Sequence, residues 1–103
     1  MKIGLYLRVS TKNQKENTSL QTQQIIGEEF SKISGYEYEI FKDIESGGKY
    51  DRIELDRLKE GIKSGELGGI WVYDYDRLSR DIEVGVKISN LIIDNKCRLF
   101  VGF

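Results

Sequence analysis

Apolar residues recur along this chain with two alternating periods. Over residues 2–9 (KIGLYLRV) they fall at every second position, with Ile3, Leu5, Leu7 and Val9 on one face and Tyr6, Arg8 and Ser10 on the other, which is the pattern of a strand. A polar loop follows. Thr18 or Ser19 is then placed to cap a helix carrying Leu20, Ile26, Phe30 and Ile33 on one stripe and closing at Ser34-Gly35. Gln23 falls inside that stripe. Residues 36–41 read as a second strand, followed by a flexible loop, DIESGGKY. Asp51 with Glu54 three residues on has the form of a capping box for a helix bearing Leu55, Leu58 and Ile62 and ending at Ser64-Gly65. Residues 69–75 (GIWVYDY) read as a third strand, residues 81 to about 95 as a helix with Val84, Ile88 and Leu91, and residues 98–103 as a fourth strand.

Strands alternating with helices imply right-handed crossovers, and so an α/β fold: an open, mostly parallel sheet with helices on both faces. A chain of 103 residues without repeats, low-complexity tracts or linkers is expected to form one domain, residues 1–103. In such folds ligands bind beyond the carboxyl ends of the strands, near a topological switch point. The residues to weigh are therefore Arg8-Val9-Ser10, Ser46-Gly47-Gly48 and the run from Asp76 to Arg80.

Charge narrows the choice. With 16 basic and 17 acidic residues the net charge is −1, so the chain lacks the broad positive field that holds nucleic acid non-specifically. Any affinity for DNA must come from a local cluster or from further protein. A single cysteine, Cys97, sits in an apolar segment, which excludes an internal disulfide and predicts a buried free thiol. No apolar leader follows Met1-Lys2 and no run is long enough to span a bilayer, so a cytoplasmic location without membrane contact is expected. Histidine is absent, which removes the commonest general base and any Ser-His-Asp triad. Serine chemistry here needs another means of activation.

Arg8 is a poor choice for building a core at the end of an otherwise apolar strand. Arg52 lies in the first turn of one helix, and Arg77 and Arg80 lie just before another, where the macrodipole disfavours a cation by roughly 0.3–1 kcal/mol. An anion between the two helix starts, held by amide N–H groups and arginine forks, resolves the conflict, and phosphate suits several arginines better than carboxylate. Gln23 needs a buried partner and is placed to support such a site from below, and Gly47 and Gly48 allow a loop to approach a ligand. Each residue alone also has a plainer account: Ser10 as a strand-end cap, Arg8 in an ion pair with Asp43 or Asp76, the SGG loop as a turn, and Arg77 and Arg80 as exposed helix-start residues.

YLRVST (residues 6–11) and YDRLSRD (75–81), supported by SLQTQ (19–23) and DIESGGKYDR (43–52), make the chain resemble the catalytic domain of the serine recombinases, the family of resolvases, invertases, large serine integrases and transposases. The resemblance covers nearly the whole chain. It implies a serine that attacks a DNA phosphodiester, leaving a 5′-phosphoseryl link and a free 3′-hydroxyl, with strand exchange by subunit rotation in a tetramer assembled from homodimers. Ser10 matches the nucleophile. Arg8, Arg52, Arg77 and Arg80 match the arginines around the scissile phosphate, Asp76 the acidic residue that orients them or shares in proton transfer, and Gln14, Gln23 and Ser46 supporting positions. No metal or other cofactor is expected. A lysine that many members carry falls at Gly61, with Lys59 and Lys63 only nearby, so no role is carried over to it. Family catalytic domains continue into a long dimerisation helix and a separate DNA-binding domain. The chain is expected to stop short of both, and so to bind DNA only feebly by itself.

Two rival readings compete with this one. The first is a receiver-like or nucleotide-binding α/β module holding Mg²⁺ with Asp43, Glu45, Asp74 or Asp76. It lacks the acidic pair expected after the first strand, and SGGKY has the wrong spacing for a phosphate-binding loop. The second is a recombinase-derived domain kept for self-association without catalysis.

Overall fold

The computed structural model describes residues 1–10, 19–45, 52–78 and 82–102. Among the described residues eight elements follow in order: β1 (Lys2–Ser10), α1 (Leu20–Ser34), β2 (Glu37–Glu45), α2 (Ile53–Ser64), β3 (Gly69–Val72), α3 (Tyr75–Leu78), α4 (Ile82–Asp94) and β4 (Arg98–Val101). The strands form one sheet in the order β2-β1-β3-β4, and every pairing is parallel. The chain moves to one side of β1 to make β2 and to the other to make β3 and β4. The switch point therefore lies at the carboxyl ends of β1 and β3.

Both faces of the sheet are covered, which is why β1 alternates between two kinds of core rather than between core and solvent. Ile3, Leu5, Leu7 and Trp71 pack with Leu20, Ile26 and Phe30 of α1 on one face. Tyr6, Phe41, Ile70 and Val72 pack with Leu55, Leu58 and Ile62 of α2 and Ile88 and Ile92 of α4 on the other. Ser19 caps α1 by accepting from the Thr22 amide at 3.1 Å, and Gly35 and Gly65 end α1 and α2 in the left-handed region, as their sequence positions predict.

The α1 stripe differs from the expected one. Its fully covered positions are Gln23, Gly27 and Ser31, four residues apart, whereas Ile33 is 72% exposed. The reason is close approach: a β-carbon on Gly27 would stand 2.9 Å from Cε3 and Cζ3 of Trp71, so only a bare backbone fits there. Trp71 is held in turn by its indole N–H, which donates to the Gly102 carbonyl at 2.8 Å.

Strand ends also shift. β2 runs on to Glu45, so Asp43, Ile44 and Glu45 belong to a strand and not to the expected loop. β3 stops at Val72, three residues early, because the main-chain and side-chain oxygens of Asp74 both accept from the Arg77 amide, at 3.1 and 3.2 Å, and open the single turn of α3. β4 ends at Val101 rather than Phe103, which lies outside the described residues together with Asp81 of the expected last helix. Cys97, expected buried, is only partly so: it packs against the α2–α4 core, and burial raises its thiol pKa. No described helix is long and apolar enough to cross a membrane.

Candidate active site

Arg8 is 1% exposed, and a buried guanidinium without partners would cost several kcal/mol. Its partners include main-chain oxygens of α3. Nε donates to the Arg77 carbonyl at 2.9 Å and Nη2 donates to the Asp76 carbonyl. Arg52, the residue before α2, converges on the same turn: its Nη2 donates to the carbonyls of Arg77 at 2.9 Å and Leu78 at 2.6 Å. Two cations thus cap the carbonyl end of a helical turn, the end at which the peptide dipoles favour positive charge. This is how Arg52 escapes the unfavourable helix start seen in the sequence: its head group leaves α2 and reaches α3.

Arg52 is fixed from a second side. Its Nε donates to the Tyr6 hydroxyl at 3.1 Å, and the guanidinium carbon stands 5.4 Å from the centre of the Tyr6 ring. The Tyr6 hydroxyl donates to Oδ2 of Asp43 at 2.8 Å. Burial, above all, holds the Tyr6 hydroxyl well above its ordinary pKa, although the charge of Arg52 works in the opposite direction. Asp43 in turn accepts from the amides of Glu54 and Leu55, each at 3.0 Å, and so caps α2 from the neighbouring strand. Asp51, expected as that cap, lies outside the described residues, and Arg52 at the cap position makes no side-chain capping bond. Asp43 is thus neither the ion-pair partner of Arg8 nor an open metal ligand.

Gln23 is fully buried and serves the backbone of β1. The last β1–β3 pair is Tyr6 with Val72. Beyond it, Arg8 donates its N–H to Gln23 Oε1 at 3.3 Å, and Gln23 Nε2 donates to the Arg8 carbonyl at 3.1 Å. The amide takes the two groups that a longer β3 would have taken, and it does so two residues before Ser10. Ser10 itself ends β1, in register with Glu45. Arg77 is 3% exposed, with Nε 3.6 Å from Oδ1 of Asp74. The Asp76 side chain faces solvent, while its carbonyl serves Arg8. Arg8 and Arg52 are therefore brought together on the turn that contains Arg77, at the switch point. Gln14, Ser46 and Arg80 lie outside the described residues.

Residues 3–102 match the family described as Resolvase, N terminal domain. The chain belongs to that family. No curated protein matches it. Among solved structures, the resolvase domain described here is 29% identical to a resolvase family site-specific recombinase from Streptococcus pneumoniae, with a TM-score of 0.81, covering 99% of this chain and 72% of the other. It is 28% identical to the N-terminal catalytic domain of TP901-1 integrase, with a TM-score of 0.82, covering 96% and 76%. The catalytic domain of ISC1926 TnpA, an IS607-like serine recombinase, is 26% identical with a TM-score of 0.81, covering 98% and 69%.

Tyr6 and Asp43 of this resolvase domain were not among the sequence candidates for the phosphate site. One signal was available, a tyrosine on the same strand face as Arg8 and Ser10. Its partner is 37 positions away, so only the β1–β2 register reveals the pair. Gly61 closes a second question. A β-carbon there would stand 2.7 Å from Cδ1 of Leu67, so a lysine at this position would have to displace a core side chain.

Proposed function

We propose that this domain is the catalytic unit of a site-specific DNA recombinase, with Ser10 as nucleophile. The Ser10 hydroxyl oxygen attacks the phosphorus of a DNA phosphodiester. A P–O bond to the serine forms, the P–O bond to the 3′ oxygen breaks, the serine proton passes to that leaving oxygen or an intervening base, and a 5′-phosphoseryl link and a 3′-hydroxyl result. Reversal of this step on an exchanged strand rejoins the DNA. Phosphoryl transfer concentrates negative charge on the non-bridging oxygens, and positioned arginines stabilise it electrostatically. Arg8, Arg52, Arg77 and Arg80 take that role. Asp76 orients them or shares in proton transfer, and Gln14, Gln23 and Ser46 are supporting positions. No metal is invoked.

The observation that carries this reading is the convergence of Arg8 and Arg52 on the α3 turn that contains Arg77, beside the strand that ends at Ser10, in a chain of the resolvase family. Gln23 contributes by holding the backbone of β1 rather than by touching phosphate. With a net charge of −1, we assign DNA affinity, assembly of homodimers into tetramers and target choice to segments beyond this catalytic unit, in a protein acting in the cytoplasm.

Titration of the domain with dimethyl phosphate, and separately with Mg²⁺, followed by amide and arginine side-chain NMR, tests the site. Shifts gathered at Arg8, Ser10, Arg52, Arg77 and Arg80 with the phosphodiester are expected. A response to Mg²⁺ alone around Asp43, Asp74 and Asp76 would overturn the assignment.

A further inference from the structure

Trp71 is the only tryptophan of the chain and is fully buried in β3, paired with Leu5 of β1 on one side and Phe100 of β4 on the other. A β-carbon on Gly27 would stand 2.9 Å from its six-membered ring, so α1 lies directly on the indole. The indole N–H donates to the Gly102 carbonyl at 2.8 Å. Gly102 follows β4 with φ +66°, where glycine is at ease, and beyond the last β3–β4 pair, Val72 with Val101, its own N–H donates to the Val72 carbonyl at 2.9 Å. Residue 102 is thus tied twice to the end of β3, just before Asp74 opens α3. Arg8 has two supports, and each leads back to Trp71. The α3 carbonyls that hold its guanidinium follow from the end of β3. Gln23, which holds its main-chain N–H and carbonyl, lies one helical turn before Gly27 on the covered stripe of α1.

From these contacts we infer that Trp71 is a positioning residue: its indole ties Gly102, at the end of β4, to both supports of Arg8, so that the placement of residue 102 sets the placement of the Arg8 guanidinium. The inference rests on the recombinase reading above and adds to it a residue outside the site. Trp71 touches neither phosphate nor Ser10. It acts through α3, by way of the end of β3, and through Gln23, by way of Gly27. Packed side chains and hydrogen bonds form an unbroken path along both routes, which is the physical requirement for coupling two places in a fold. A displacement of Gly102 therefore reaches the phosphate site.

Because the chain has one tryptophan, growth on β-(3-benzothienyl)alanine replaces Trp71 alone, with sulfur in place of the indole N–H and the ring shape kept. The test compares that protein with the unsubstituted whole chain by amide hydrogen exchange and by affinity for dimethyl phosphate. Loss of the indole bond predicts exchange at the Gly102 amide faster by about three- to tenfold. The Arg77 amide of α3 and the Gln23 side-chain amide should shift or exchange faster with it, while the Leu58 amide in the middle of α2 keeps its rate, and affinity for dimethyl phosphate should weaken by about two- to fivefold. A merely structural role would instead speed Leu58 along with the rest, as general loosening does. That result overturns the inference, as does a faster Gly102 amide with Arg77, Gln23 and the affinity unchanged, or a Gly102 amide that does not respond. If the unsubstituted chain fails to bind dimethyl phosphate, the phosphodiester reading falls, and the exchange rates at Arg77 and Gln23 still decide whether Trp71 couples Gly102 to the supports of Arg8.

Discussion

Asp43→Ala removes a carboxylate that three donors share: the amides of Glu54 and Leu55, at 3.0 Å each, and the Tyr6 hydroxyl, at 2.8 Å. Loss of a helix cap costs about 1 kcal/mol. The Tyr6 hydroxyl and the Leu55 amide are buried, and each buried donor left without an acceptor costs roughly 1–3 kcal/mol. Water reaches the part-buried Glu54 amide more readily, so that bond adds little. Taking the lower end of each range, because the cap bond and the Leu55 amide overlap, the loss is about 3 kcal/mol, or a fall in melting temperature of about 12–24 °C for a domain of this size. The assay is thermal and urea unfolding followed by the emission of Trp71, the only tryptophan and fully buried. Asp43→Asn retains the volume and one acceptor oxygen, and its loss is expected to fall between wild type and alanine. A loss below about 1 kcal/mol in Asp43→Ala would refute the account of how β2 fixes the start of α2.

Other consequences follow from the same contacts. Gly27→Ala forces a methyl to within 2.9 Å of a pinned indole. Overpacking of about 1–3 kcal/mol outweighs the gain of up to about 1 kcal/mol in helix propensity, so urea denaturation should show a net destabilisation. Tyr6 has a folded pKa above its unfolded value of 10.0, chiefly through burial. Its hydroxyl therefore contributes stability in full below that pH, and the contribution is lost as pH rises further. Native wild type and Tyr6→Phe should then show equal phenolate absorbance at about pH 11, the difference emerging only on unfolding. Cys97, its thiol pKa raised by burial, should alkylate more slowly in the native domain at mildly alkaline pH than in urea.

The alternation of strand and helix was legible because Ile3, Leu5, Tyr6 and Leu7 of β1 each meet a core on one face or the other. The oddity of Arg8 was legible for the same reason: a cation in such a strand demands partners. Its partners were not, since they are carbonyls of a turn nearly seventy positions away, whose first residue, Tyr75, reads as the end of a strand until Asp74 folds back on Arg77. The run of β2 through Asp43 was hidden because a charged residue there looks like loop; its value lies in α2, which it caps. Local pattern reports burial well. It is silent on which buried polar groups meet across the sheet, and the site is made of those meetings.

The most direct test of the central claim is to trap the covalent protein-DNA adduct, in the recombinase containing this domain, on a nicked DNA substrate that cannot be resealed, and to map the linkage by mass spectrometry. The account predicts a 5′-phosphate on the Ser10 oxygen and no adduct in Ser10→Ala. A linkage at any other residue, or an adduct that persists in Ser10→Ala, would contradict it.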